Sequence, residues 1–218
     1  SISMAAIGGP CIAGELAGRR QSCVYFGAHK IGTARHLAEV FKTDYYHTWI
    51  TDDLEGLELA VALKNAYALG VGIATGALEQ SGGVDSAGAY MHNLAAALFA
   101  RSCIEIHTFL EIRNLNTKLA YGLPGAGDLY VTCQGGRSVT IGKLLGMGKT
   151  FKEASHILAG ETLEAALVIQ QVGKALPILY KKGVVEKSQF PLMELLIDIV
   201  VNEQSIHIDL DTFFDDIL

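Results

Sequence analysis

The chain has 218 residues, half of them hydrophobic and 18% charged, with a formal net charge of −6. That length suits one large domain, or one domain plus part of another, with ample apolar surface for a core. The acidic balance excludes non-specific nucleic-acid binding, which needs a density of Lys and Arg to release counterions from phosphate. A local basic site for one phosphate stays compatible with it.

Four cysteines (Cys11, Cys23, Cys103, Cys133) include no C-x-x-C pair. With seven scattered histidines they form neither a zinc pattern nor a disulfide framework, and they read as reduced thiols. No charged n-region followed by an apolar core opens the chain. The longest apolar stretch, Glu58 to Leu78, is interrupted by Lys64 and Asn65. It falls short of the uncharged run of about 18 residues that marks a spanning helix. The expectation is a soluble, cytoplasmic protein.

In chain order, Ser1 to Ile7 is a short apolar run leading into the turn signal Gly8-Gly9-Pro10. Ser22 to Gly27 is strand-like and ended by glycine. Thr33 to Lys42 has Ala34, Leu37, Ala38 and Phe41 at helical spacing, and Tyr45 to Ile50 is aromatic and β-branched, hence a strand. Strand, helix, strand is α/β grammar, yet too little for a sheet of its own. Residues 1–50 therefore read as the end of a larger nucleotide-binding domain, and the chain as truncated on its N-terminal side.

From Thr51 the grammar turns helical. Asp52 followed by Glu55 predicts a capping-box start. The stripe Leu54, Leu57, Val61, Lys64, Asn65, Ala68 runs down one face, and Leu59, Leu63 and Ala66 make the opposite face apolar too. That pattern predicts a central helix buried nearly all round. Further helices are expected over 85–104, 137–147, 151–157, 161–175 and 190–201, with a capping box from Thr150 to Glu153. Residues 205–218 read as a last short helix or cap.

Two glycine motifs fail as nucleotide sites. Gly148-Lys149-Thr150 has Lys143 where a P-loop needs its first glycine, and no strand leads into it. Gly125-Ala126-Gly127 lacks the third glycine of the dinucleotide fingerprint.

The chemistry concentrates in two clusters. Lys64 shares a helical face with Leu57, Val61 and Ala68, where burial would disfavour its ammonium form and suit it to accept a proton. The bland alternative is a snorkelling stem with its charge in water. Asp128 follows a glycine-rich turn, and Arg137 follows Gly135-Gly136 at what reads as a helix start. Helix N-terminal amides plus a guanidinium fork suit a phosphate monoester, against the alternative of an exposed turn arginine.

Together these clusters resemble NAD(P)-dependent glycerol-3-phosphate dehydrogenase, from about Gly9 to Ile199. Glu58-Leu59-Ala60-Val61-Ala62-Leu63-Lys64-Asn65 looks like the family's signature helix, and Gly127-Asp128-Leu129 with Thr132-Cys133 like its second signature. Gly9-Pro10-Cys11-Ile12-Ala13 is similar to a family segment at the domain junction.

The resemblance implies a mainly α fold: an all-helical domain like the C-terminal domain of 6-phosphogluconate dehydrogenase over 51–218, preceded by a short α/β remnant of a Rossmann domain over 1–50. It implies Lys64, Asn65 and Asp128 as catalytic residues. Gly9, Cys11, Lys64, Asp128, Arg137 and Ser138 would bind substrate, and Ala13, Arg137 and Glu161 the cofactor, NAD or NADP. The implied partners are sn-glycerol 3-phosphate and dihydroxyacetone phosphate, with no metal, nucleic acid or membrane, in a homodimer.

Ser138 stands where the family has Asn, and Cys11 where it has Ser or Thr. Glu111 to Gly122 reads as an insertion. The family's second catalytic lysine and its glycine-rich fingerprint would lie upstream of Ser1, so this stretch alone is expected to be inactive. Two alternatives stand beside this one. One is a related β-hydroxyacid or ketoacid reductase, although those families space their catalytic Lys and Asn several residues apart. The other is a degenerate dehydrogenase whose helical domain serves only for binding or dimerisation.

Overall fold

The computed structural model describes residues 3–84, 92–158 and 164–215. It divides into two compact units, one of residues 1–64 and 106–131, the other of 65–105 and 132–218. The strands are β1 (Ala6–Gly8), β2 (Ser22–Gly27) and β3 (Tyr46–Thr51). The helices are α1 (Ala13–Ala17), α2 (Ile31–Phe41), α3 (Leu54–Gln80), α4 (Asn93–Ile112) and α5 (Lys118–Tyr121), then α6 (Asp128–Gln134), α7 (Arg137–Gly146), α8 (Phe151–Ile157), α9 (Glu164–Lys181) and α10 (Pro191–Val200). The mainly α class with a small α/β lead-in is as expected.

In the first unit the sheet order is β1-β2-β3. β1 runs antiparallel to β2, with Ile7 opposite Phe26. β2 and β3 are parallel, Val24 opposite Thr48, so α2 is the crossover that parallel neighbours require. Val24 and Phe26 point inward from β2 and pack with Ala28, Ala34, Ala38 and Tyr46. The strand–helix–strand expectation holds here to within two residues at each end.

At the start of α3 the cap differs from expectation. Asp53, not Asp52, supplies it: Asp53 Oδ1 accepts from the Gly56 N–H at 2.8 Å, and Oδ2 from the Asn116 N–H at 2.6 Å. β3 continues through Thr51, whose hydroxyl accepts from the Asp53 N–H, and this moves the helix start along by one residue. The residue three beyond Asp53 is then Gly56, which cannot reach back. Glu55 instead turns outward to Arg113 at 3.0 Å.

The segment read as an insertion, Glu111 to Gly122, forms the end of α4, a turn with Asn114 at φ 54°, and α5. One π-helical turn, Leu123–Gly127, then leads into α6. A Cβ on Gly125 would collide with the Ala120 backbone. Packing of that turn on α5 thus sets where Asp128, the first residue of α6, begins.

In the second unit α3 is buried from Ala66 through Ala74. Contrary to the shortfall read from sequence, α3 is long and apolar enough to cross a membrane. However, 67% of its most apolar 18-residue window is buried inside the protein, as in the core helix of a globular fold. It crosses α7 backbone to backbone. Gly72 and Gly76 lie one turn apart on α3, Gly142 and Gly146 one turn apart on α7. Added Cβ atoms would strike Lys143 O from Gly76, Leu69 O from Gly142 and Ile73 O from Gly146. No flexible side chain is available to yield. Gly142→Ala is expected to destabilise the protein by at least about 1–3 kcal/mol, the range for overpacking; an unchanged melting temperature would show that the crossing can spread.

α4 runs on to Ile112, past the expected end at 104, while the expected beginning at 85–91 lies outside the described residues. The Thr150–Glu153 capping box is formed reciprocally at the start of α8. α9 continues through Pro177 to Lys181, beyond the expected end at 175. A 3-10 turn at Leu210–Thr212 is the short final element expected over 205–218.

A buried ion pair pins the second unit. Arg101 and Glu105, both fully buried, meet at 2.9 Å one turn apart on α4. Glu105 also accepts from Tyr67 Oη at 2.8 Å and from the N–H groups of Leu192 and Met193 at the start of α10, at 2.8 and 2.9 Å. Arg101 donates onward to Gln189 O and Phe213 O. Burial pushes the Glu105 carboxyl up to about 7, against the downward pull of Arg101 and the N–H donors.

Candidate functional site

The first unit carries Lys64 and Asp128. Lys64 lies in the eleventh position of α3, and its Nζ donates to Asp128 Oδ1 at 2.5 Å, with side-chain exposures of only 15% and 8%. The amine is therefore neither isolated among apolar groups nor snorkelled into solvent. It faces a carboxylate from another helix. Burial pushes the Asp128 carboxyl up, while Lys64 and the Gly9 backbone N–H pull it back down.

Gly9 can make that contact because it has φ 141° and no side chain. A Cβ there would come within 2.7 Å of Cys23 O and 3.0 Å of Val24 Cα. The turn Gly8-Gly9-Pro10 is thus wedged between β2 and the start of α6, and Pro10 Cδ lies 3.4 Å from where a Cβ on Gly127 would stand. The Cys11 thiol is bonded to Ser22 and feels the Asp128 charge. Burial pushes its pKa up, so it remains a neutral thiol. Gly9, Cys11, Lys64 and Asp128 are gathered here, while Ala13 is exposed at the first position of α1.

The second unit carries Asn65, Arg137 and Ser138. Arg137 and Ser138 are the first two residues of α7, and Gly136 is its N-cap at φ 103°. Among the described residues nothing stands within 4 Å of where a Cβ on Gly135 or Gly136 would be. Helix N-terminal amides beside a half-exposed guanidinium fit an anionic group such as a phosphate or pyrophosphate.

Asn65 Nδ2 donates to Glu164 Oε2 at 3.3 Å, and Arg137 Nη2 stands 3.9 Å from Glu164 Oε1. Sequence reasoning missed Glu164. No periodic or motif signal ties α9 to Arg137, and the acidic residue singled out nearby was Glu161, which lies outside the described residues.

Burial pushes the thiols of Cys103 and Cys133 up to about 11 and about 12, which leaves them inert as nucleophiles at neutral pH. Among the described residues no group of three or more His, Cys, Asp or Glu side chains is placed to hold a metal ion.

Over residues 53–210 the chain matches the family described as NAD-dependent glycerol-3-phosphate dehydrogenase C-terminus. It is 35% identical over 153 residues to the NADP(+)-dependent glycerol-3-phosphate dehydrogenase of Archaeoglobus fulgidus, covering 70% of this chain and 44% of that protein. It is 30% identical over 200 residues to glycerol-3-phosphate dehydrogenase [NAD(P)+] of Bifidobacterium longum subsp. infantis, covering 88% and 57%. The crystal structure of glycerol-3-phosphate dehydrogenase from Coxiella burnetii superposes with a TM-score of 0.77 at 25% identity, over 100% of this chain and 61% of that one. The chain spans about half the length of the curated relatives it matches.

Proposed function

We propose, for a chain that belongs to the NAD-dependent glycerol-3-phosphate dehydrogenases through their C-terminal domain, that the whole protein interconverts sn-glycerol 3-phosphate and dihydroxyacetone phosphate. The observation that carries this is the Lys64–Asp128 pair, largely sequestered from water and steadied by the Gly9 N–H. An amine so placed can hand a proton to a carbonyl oxygen, or take one from a hydroxyl, at a fixed point.

NAD or NADP, when bound, supplies the hydride chemistry; the protein orients the partners and manages the proton. In reduction Lys64 gives a proton to the oxygen on C2, and in oxidation it accepts the C2 hydroxyl proton. Asp128 holds the amine and orients the glycerol hydroxyls, and Asn65 positions the reacting groups. Arg137, the N–H groups at the start of α7 and Ser138 hold the phosphate. Gly9 and Cys11 line the glycerol end. Ala13, Arg137 and Glu161 are assigned to the cofactor. In this reading residues 1–50 close the nucleotide-binding domain and 51–218 form the substrate domain of a cytoplasmic homodimer, a state that light scattering on the intact protein checks.

The test is NADH and NADPH oxidation by dihydroxyacetone phosphate, with the protein extended upstream through its nucleotide-binding half. Turnover is expected, and the better coenzyme is identified in the same assay. A folded protein that binds dinucleotide but reduces only phosphate-free ketoacids would overturn the substrate assignment.

A further inference from the structure

Glu164 is an acidic residue at a place otherwise suited to an anion. Its two carboxylate oxygens face two different donors, the Asn65 amide at 3.3 Å and the Arg137 guanidinium at 3.9 Å. A carboxylate and a phosphate monoester offer the same thing to such donors: acceptor-only oxygens carrying negative charge. The contacts are also loose. At 3.9 Å the ion pair lies beyond hydrogen-bond range, and the Arg137 and Glu164 side chains are 48% and 57% exposed. Arg101 and Glu105, at 2.9 Å and 0% exposure, show what a structural pair in this unit looks like. A pair as exposed as Arg137–Glu164 contributes little to stability and is easily parted.

We propose that Glu164 is a resident counter-charge of the anion site at the start of α7: its carboxylate accepts from Asn65, faces the Arg137 guanidinium, and competes with an incoming phosphate for them. The inference rests on the reading of Arg137 as a phosphate ligand. Whether the carboxylate swings away or stays beside the bound anion, its negative charge works against a phosphate. Glu164 therefore raises the anion concentration needed to fill the site. It is a residue that sets affinity and takes no part in the chemistry.

The test is titration of the intact protein with inorganic phosphate, followed by ³¹P NMR or calorimetry at low salt, for the unaltered protein, Glu164→Gln and Arg137→Gln. Glu164→Gln keeps the size and removes the charge. It is expected to bind phosphate roughly threefold to fivefold tighter, the scale of an exposed charge interaction. That gain is expected to shrink as added salt brings the Debye length down to a few ångströms. A purely structural role at the first turn of α9 would shift the melting temperature and leave this salt-dependent affinity gain absent. Arg137→Gln is expected to lose phosphate binding. If Arg137→Gln loses binding while Glu164→Gln binds phosphate no better than the unaltered protein, the counter-charge is refuted and the phosphate site stands. If Arg137→Gln binds phosphate normally, the anion site lies elsewhere and the proposal falls with that assignment.

Discussion

Replacing Lys64 by alanine is expected to lower kcat of the intact enzyme by more than about 100-fold, the scale of losing a general acid or base. The expectation follows from placement. Lys64 Nζ is held 2.5 Å from Asp128, and the lysine side chain is only 15% exposed, so no water-borne amine stands ready to replace it. The fold should tolerate the change. The Asp128 carboxyl is already pushed up by burial, and Lys64 is among the groups that pull it down. Without the lysine it takes up a proton more readily, which removes the unpaired charge. Lys64→Arg is expected to fail almost as badly, because a guanidinium keeps the charge and does not release its proton near neutral pH. The measurement is steady-state kinetics in both directions with circular dichroism as the folding control. A folded Lys64→Ala protein with near-normal kcat would falsify the proton-transfer role.

What the sequence made legible follows from how far each signal reaches along the chain. Lys64 stood out because an ionisable residue interrupts an apolar helical face, a pattern contained within one helix. Its partner Asp128 lies 64 residues away, and no periodicity connects them; the family resemblance did. β2, α2 and β3 were readable because each is long enough to show its period. α1, α5 and the π-helical turn, at four or five residues, are too short to show one. The Asp52 cap failed by one residue because the end of β3, which decides where α3 starts, is set by pairing with β2 and not by the cap sequence. Gly72, Gly76, Gly142 and Gly146 show their four-residue spacing in the sequence, but only the fold reveals that the two pairs face each other. Glu164 was invisible for the same reason as the Asp128 pairing: Asn65 is 99 residues away from it.

α4 runs on past the expected end at 104 and carries the buried pair Arg101 and Glu105, and the rule that charge stays outside fails where a charge finds its full set of partners. Glu105→Ala tests how much depends on that set. The substitution removes the acceptor of four donors: Arg101 Nε, Tyr67 Oη and the Leu192 and Met193 N–H groups. It also leaves the Arg101 guanidinium buried without its counter-charge. At about pH 8, where the carboxyl is ionised, denaturant unfolding is expected to show a loss of about 3–5 kcal/mol, the cost of breaking a buried pair from one side. The pH dependence has a definite sign. Between the ordinary value of 4.5 and the raised value of about 7 the folded state binds the proton more readily than the unfolded chain. This group's contribution to stability is therefore full below 4.5 and is lost as pH rises through about 7. Glu105→Ala should lack that slope. Arg101→Met combined with Glu105→Leu removes both charges and restores apolar volume, so it is expected to cost much less than the two single changes added together. Costs that simply add would mean that the two residues act separately, and that Glu105 matters only as the cap of α10.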